Sequence, residues 1–254
     1  MALGVAGSSP VGHPTEWPSA RPACPAAGLR PQPSPREVSV ADVGIVGGTG
    51  QEGFALGTRW AAAGLSVVLG SRVKERGLEA AQRARSFGVL GTVSGGTNQQ
   101  AAEQGEVVVL AVPFHAHVHI LPEIRPAVRG KVVVDTTVAL RSLDPPELAV
   151  PEEGSTAQRV QALLPEATVV AAFHTVSAYK LGQLGRELEE DTLVCGDDPH
   201  AKERVVELAK ALGLRPVDAG GLDQAGTLER LAALVVALNR RYRRKAVGVR
   251  FVGL

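Results

Sequence analysis

Val43-Gly44-Ile45-Val46-Gly47-Gly48-Thr49-Gly50-Gln51-Glu52-Gly53 is the stretch whose reading decides the fold. Its first five residues are small or branched and apolar, the pattern of a buried parallel strand. The next six form the loop G-x-G-x-x-G, and a helical pattern from Phe54 leads out to Ala63 and a C′ glycine, Gly64. Ser66-Val67-Val68-Leu69-Gly70 then reads as a second strand and completes a βαβ unit. Glycines at these places let the backbone turn tightly and approach a pyrophosphate, whose charge rests on the helix N-terminus. A bare glycine-rich turn explains the loop alone, but not a loop set between two strands and ahead of a helix.

The end of the second strand bears on which nucleotide binds. Folds of this kind that take NAD place Asp or Glu about 20 residues past the loop, where it holds the ribose hydroxyls. This chain has Ser71-Arg72 there, with Lys74 and Arg76 close behind. A carboxylate would repel a 2′-phosphate, whereas a hydroxyl and a guanidinium hold it by charge-assisted hydrogen bonds. An ordinary basic helix start would explain the cluster too, but a helix N-terminus disfavours cations. The residues point to NADP.

At 254 residues and a net charge of +1, the chain can bury a sizeable core and gives no electrostatic argument for nucleic acid or membrane. The apolar run Leu231 to Leu238 is far too short to span a bilayer. Cys24 and Cys195 offer no disulfide framework, which suits a reducing cytoplasm. Residues 1–38 hold eight of the seventeen prolines and show no apolar periodicity, so they read as a disordered extension that a shortened chain should do without. Met1 to Gly7 lacks the basic start and the apolar length of a secretory signal.

From Val40 onward strands and helices alternate, the mark of an α/β, Rossmann-type doubly wound parallel sheet. The pattern gives a helix over 74–86, a weak strand Val89 to Val93, a short helix Asn98 to Gln104, and buried strands Val107 to Val112 and Lys131 to Asp135. Ligands of such sheets sit at the carboxyl ends of the strands, which puts Val112 and Val138 near the nicotinamide half of the cofactor. Leu143 to Gly154 reads as a crossing loop, and Ser155-Thr156-Ala157-Gln158 as a capping box for a helix through Leu164. Strands Val169 to Phe173, Thr192 to Cys195 and Leu214 to Val217 follow. Asp198-Pro199 is an N-cap and N1 pair, which explains Asp197-Asp198 without catalysis. The helix around Leu228 to Asn239 is apolar on nearly every side, as in a buried helix or a dimer contact.

His115, His117 and His119 invite a metal reading, but no Cys, Asp or Glu pattern backs them, and a solvated or partly packed helix start explains them as well. The dense basic cluster Arg240-Arg241-Tyr242-Arg243-Arg244-Lys245 is either a solvated helix end favoured by the dipole or a dock for an anionic ligand.

Five motifs stand in one order: Gly47-Gly48-Thr49-Gly50, Gly70-Ser71-Arg72, Phe173-His174-Thr175-Val176, Val194-Cys195-Gly196-Asp197-Asp198 and Leu214-Arg215-Pro216-Val217-Asp218-Ala219-Gly220. In these, and in Asn239-Arg240-Arg241-Tyr242, the chain resembles the NADPH-dependent reductases of coenzyme F420 from about residue 40 to its C-terminus. The resemblance implies a Rossmann domain over 39–175, with a small C-terminal part over 176–254 that closes the cleft. It implies hydride exchange between NADPH and an 8-hydroxy-5-deazaflavin whose tail is anionic. By matching motifs, Thr49, Gly50, Gln51 and Glu52, with Gly48 and Gly53, would form the pyrophosphate loop. Ser71, Arg72 and Arg76 would hold the 2′-phosphate, and Val112, Val138 and Ala178 would contact the cofactor further along. His174, Val176 and Val247 would line the deazaflavin side. Orientation of the two rings does most of the chemistry, and no nucleophile or acid–base triad is expected.

One segment departs from the pattern. Where such reductases commonly read Gly-Pro-Leu-x-x-Ala-Arg, this chain has Gly220-Gly221-Leu222-Asp223-Gln224-Ala225-Gly226, with glycine in the proline and arginine places. Two other readings therefore stand beside the first: an NADPH-dependent reductase of a flavin or imine, and a non-catalytic NADP sensor. Acceptor-dependent NADPH oxidation separates them.

Overall fold

A computed structural model describes residues 41–143 and 145–254; the proline-rich extension expected over 1–38 lies outside the described residues. The elements follow the alternation of the sequence. β1 (Ala41–Val46), α1 (Gln51–Ala62), β2 (Val67–Ser71), α2 (Lys74–Arg85) and β3 (Val93–Thr97) form the first half. α3 (Asn98–Gln104), β4 (Gly105–Leu110), α4 (His117–Ile124) and β5 (Val132–Asp135) carry the chain back across the sheet. A hairpin of β6 (Leu140–Leu143) and β7 (Pro146–Leu148), then α5 (Thr156–Leu163) and β8 (Thr168–Ala172), follow. α6 (Ala178–Leu181), β9 (Asp191–Cys195), α7 (Pro199–Ala211), β10 (Arg215–Asp218) and α8 (Ala225–Arg241) complete the order.

Eight strands make one sheet in the order β10-β9-β8-β5-β4-β1-β2-β3. The chain leaves β1 toward β2 and β3, then returns to place β4 on the other side of β1. That reversal opens a crevice at the carboxyl ends of β1 and β4, where α/β sheets bind their ligands. All pairings from β3 through to β8 are parallel, whereas β8 pairs β9 antiparallel. β9 and β10, contributed by the C-terminal stretch, extend this sheet, and Val38–Leu254 forms one compact unit.

Both faces of the sheet are covered. On one side Val107 and Val109 of β4 pack with Phe54, Leu56 and Trp60 of α1, the alanines of α2 and Val205 of α7. On the other, Val108 and Leu110 pack with Ile120 and Ile124 of α4, Val160 of α5 and Leu228 of α8. Burial on two faces is why these strands are apolar throughout instead of alternating.

Several expected boundaries move. The third strand is Val93–Thr97, not Val89 to Val93. Apolar content favours the earlier run, but a Cβ on Gly95 would stand 2.0 Å from the carbonyl oxygen of Gly77 in α2, so only a glycine-rich strand lets that helix lie so close. The crossing loop expected over 143–154 holds the second strand of the β6–β7 hairpin. The last helix begins at Ala225, three residues before its expected start. The local caps stand as read: Ser155 Oγ accepts from the Gln158 N–H at 3.1 Å, Asp198 Oδ1 accepts from the Ala201 N–H at 2.8 Å, and Gly64 has a φ of 96°. Asp197 Oδ1 accepts from the Leu222 N–H at 2.8 Å, which gives the other aspartate a structural task.

Candidate active site

The glycine loop is built by contact, not by flexibility. Gly47 has a φ of 86°, its N–H donates to Asn98 Oδ1 at 3.0 Å, and its carbonyl accepts from the Gly50 N–H at 3.0 Å. A Cβ on Gly48 would lie 2.9 Å from Leu69 Cα, and one on Gly53 would lie 2.6 Å from the Gly47 oxygen. The loop is therefore pressed against β2 and against itself, and the chain admits no side chain there. Gly50 caps α1 with no side-chain hydrogen bond, leaving the open N–H groups of a helix start to an anionic ligand. These residues fit a dinucleotide phosphate. Ser71, the last residue of β2, is buried, and Arg72 and Arg76 are exposed just beyond it.

A cavity of about 450 Å³ opens at the crevice. Of the residues singled out in the sequence, Gly50, Gln51, Glu52, Val112, Val138, His174, Val176 and Val247 line it together. Gly48, Thr49, Gly53, Ser71, Arg72, Arg76 and Ala178 do not, although Ala178 directly follows the lining residue Ser177. Thr136, Thr137, Leu140 and, from α8, Ala232, Val235, Val236 and Asn239 also line it; of these only Asn239, in the Asn239-Arg240-Arg241-Tyr242 match, stands out in the sequence. The signal for the α8 residues was the unusual width of that helix's apolar face. For Thr136 and Thr137 it was their place just past the end of a parallel strand.

The histidines separate. His115 and His119 are exposed, whereas His117 is buried and lies 3.2 Å from Thr137 Oγ1. Thr137 Oγ1 itself donates to the Val112 carbonyl at 3.3 Å, so His117 donates to it from Nε2 and leaves Nδ1 as an unpartnered acceptor. No group of three or more metal-ligating side chains occurs among the described residues. Burial lowers the pKa of His117 to about 4, with the charge of Arg159 adding to it.

His174 follows Phe173, a non-glycine residue at a φ of 69°, and lines the cavity. Both its ring nitrogens are sealed from solvent and lack a hydrogen-bond partner. Burial lowers its pKa to about 4; the nearby Thr137 backbone opposes the shift but lies outside hydrogen-bond geometry. The ring is neutral at physiological pH, and neither nitrogen is engaged within the protein.

Three carboxyls near the site are pushed the other way. Burial raises Glu52 to about 8, helped by the nearby Asp135. Burial also raises Asp135 to about 8, although hydrogen bonds from Thr137 oppose it. Glu229 of α8, raised by burial to about 7, accepts from the Thr156 N–H at 2.7 Å and so caps α5 from across the fold. Ordinary values for these groups are 4.5, 3.8 and 4.5, so between those and 7 to 8 the folded chain holds protons that the unfolded chain releases. Their contribution to stability is full below the ordinary values and is lost as pH rises through about 7 to 8. The ligand-free chain is therefore expected to melt at a lower temperature at about pH 8.5 than at about pH 5.5. A melting temperature that rises across this interval would sink the assignment.

Comparison with known proteins bears on this site. Residues 42–139 match the family model described as NADP oxidoreductase coenzyme F420-dependent. The chain is 35% identical over 220 residues to the F420-dependent NADP reductase of Methanocaldococcus jannaschii, covering 84% of this chain and 98% of that one. It is 36% identical over 232 residues to the F420-dependent NADP reductase of Methanothermobacter thermautotrophicus, covering 86% and 97%. A solved Arthrobacter sp. FB24 chain, described as a candidate F420-dependent NADP-reductase, shares the fold with a TM-score of 0.72 at 23% identity, over 84% of this chain and 99% of that one. Likeness over nearly the whole length of two such reductases places this chain in the family of the coenzyme F420-dependent NADP oxidoreductases.

Proposed function

We infer that the chain transfers a hydride between NADPH and coenzyme F420. The observation that carries the reading is the convergence on one cavity of the glycine loop, the ends of β4 and β5, and the His174 turn. The loop Gly48 to Gly53 receives the pyrophosphate, and Ser71, Arg72 and Arg76 hold the 2′-phosphate. Val112, Val138 and Ala178 contact the nicotinamide half, while His174, Val176 and Val247 meet the deazaflavin. Residues 39–175 carry the cofactor except for the contact from Ala178, and 176–254 close the cleft. The cavity walls are largely apolar, so the protein's task is to hold two flat rings face to face and keep water out. His174, neutral and unpartnered, hydrogen-bonds the acceptor ring. The test mixes NADPH, enzyme and oxidised deazaflavin and follows the acceptor's visible band beside NADPH oxidation. Reduction of a flavin but not the deazaflavin would replace the acceptor, and binding of NADPH without any reduction would leave a sensor.

The basic cluster belongs to this reading. Arg241, Arg243, Arg244 and Lys245 are exposed at the end of α8. The strand of chain that follows returns to the cavity: the Val247 N–H donates to Asn239 Oδ1 at 3.0 Å, and Ser177 Oγ donates to the Lys245 carbonyl at 3.0 Å. The cluster therefore lies beside the cavity rim, where it attracts the anionic tail of the acceptor. Added salt is expected to raise the apparent KM for the deazaflavin more than it lowers turnover, as is neutralising Arg243 and Arg244 together. A KM indifferent to salt would remove the cluster from the site.

Among the described residues no helix is long and apolar enough to cross a membrane. We place the protein in the cytoplasm, where its reducing cofactor is plentiful, and expect fractionation to find it there instead of with membranes. Leu234 on the outer side of α8 is 53% exposed, and we assign it to the contact of a homodimer. Sedimentation as a monomer at working concentration would refute that.

A further inference from the structure

We propose that Glu52 holds the proton that accompanies hydride transfer: it is a neutral acid while the cavity holds the reduced nicotinamide, and a carboxylate once the ring there is cationic. This goes beyond the orientation mechanism above and rests on the NADP part of that reading.

Glu52 is the second residue of α1 and lines the cavity with Val112, Val138 and His174. The residue is half-buried, and its Oε1 is sealed within the protein with no hydrogen-bond partner, so no donor there holds the carboxyl ionised. The phosphates that the adjoining loop receives are common to both cofactors, so their repulsion of an ionised Glu52 is the same in both states and the ring charge makes the difference. Asp135, also raised, does not line the cavity; its Oδ1 accepts from the Thr137 N–H at 3.2 Å, and its Oδ2 is sealed without a partner.

No Lys or Arg occurs among the described residues that line the cavity. The titratable groups around Glu52 are Asp135 at the end of β5, His174 beyond β8, His117 on α4 behind Thr137, and Glu229 on α8, whose charge acts on Asp135. Both histidines are neutral, so no fixed cation holds Glu52 ionised in the empty site. An opposite charge within about 4–6 Å lowers a carboxyl pKa by about 1–3 units. That is enough to carry a group near 8 below neutrality, and the dipole at the start of α1 assists.

The balance closes. The exchange moves a hydride, with its electron pair, from nicotinamide C4 to deazaflavin C5, and leaves one positive charge on the nicotinamide. N1 of the deazaflavin takes up one proton. Glu52 gives up that proton from its carboxyl as the positive charge appears beside it, and regains one from solvent when NADP+ departs. The sum is NADPH + H+ + F420 → NADP+ + F420H2, and in the reverse direction Glu52 accepts the proton.

The test needs no acceptor. Titration calorimetry in phosphate and in Tris buffer, whose ionisation enthalpies differ, counts the protons exchanged on binding. At about pH 7, NADP+ is expected to release about one more proton than NADPH does. The phosphates of the two cofactors are the same, so their own protonation cancels in the comparison. In Glu52→Gln, which keeps the shape and cannot ionise, the difference should vanish while both cofactors still bind. Equal proton counts in the unmodified chain, or a difference that survives in Glu52→Gln, would overturn the proposal. Should Glu52→Gln fail to fold, infrared difference spectra of the unmodified chain decide: a protonated-carboxyl band must be lost when NADP+ replaces NADPH, and its persistence overturns the proposal. Failure to reduce deazaflavin would remove the acceptor and leave this result untouched. Equal proton counts would remove the role of Glu52 and leave hydride transfer standing.

Discussion

Replacing Arg72 with alanine is expected to weaken NADPH binding by about 10- to 150-fold while leaving NADH binding nearly unchanged. The range converts the roughly 1.5–3 kcal/mol of one hydrogen bond to a charged group. The lower end is favoured, because Arg72 is exposed in the free chain and its partner charge is partly screened. The asymmetry between cofactors is the informative part. Both share the pyrophosphate and the glycine loop, so a loss confined to NADPH can only come from the 2′-phosphate. Ser71 is buried, and its Oγ accepts from the Val73 N–H at 3.4 Å, fixing the turn that leads from Arg72 toward α2. Fluorescence titration with each cofactor measures the effect. Equal affinity for NADPH and NADH in the unmodified protein would sink the assignment outright.

Replacing Trp60 with alanine is expected to cost about 3–5 kcal/mol of stability, the range for deleting a buried aromatic side chain. In a chain of this size that is roughly 6–20 °C in melting temperature. Trp60 on α1 is fully buried, and its Nε1 donates to the Leu208 carbonyl of α7 at 2.9 Å. Its ring also meets Phe173 edge-on, with centroids 5.8 Å apart. Alanine would open a cavity, leave the Leu208 carbonyl with only the Leu212 N–H at 3.3 Å, and remove the ring that Phe173 packs against. His174 comes next in the chain, so acceptor reduction should fall further than NADPH binding does. Trp60→Phe, which keeps a ring and loses the N–H, should cost less. A melting temperature within about 1 °C of the parent would show that the neighbours repack freely.

These two residues also mark where sequence reading stops. The glycine loop, the βαβ unit and the basic residues after β2 are legible because each depends on neighbours in the chain. A tight turn needs glycine, a helix start needs a cap, and a strand buried on both faces is apolar throughout. Ser155, Asp198 and Gly64 were readable for the same reason: their partners lie within a few residues. The matching motifs added His174 and Val176, which the structure brings to one cavity with the loop.

What the tertiary structure decided is everything set by distant partners. β3 took the glycine-rich register because α2 needed a close approach, and no local propensity records that need. Asn239 and Val235 reached the cavity only because α8 folds back across it. Glu229 became a cap for a helix that begins 73 residues earlier. The protonation of Glu52, Asp135, His117 and His174 was invisible for a related reason: a charge state depends on how much water and which charges the fold leaves nearby. Sequence alone determined which residues form the glycine loop and its supporting strands, since short-range geometry dictates those. The fold determined which side chains share the cavity and which carry a proton there, since burial is a property of the assembled molecule and of no single segment.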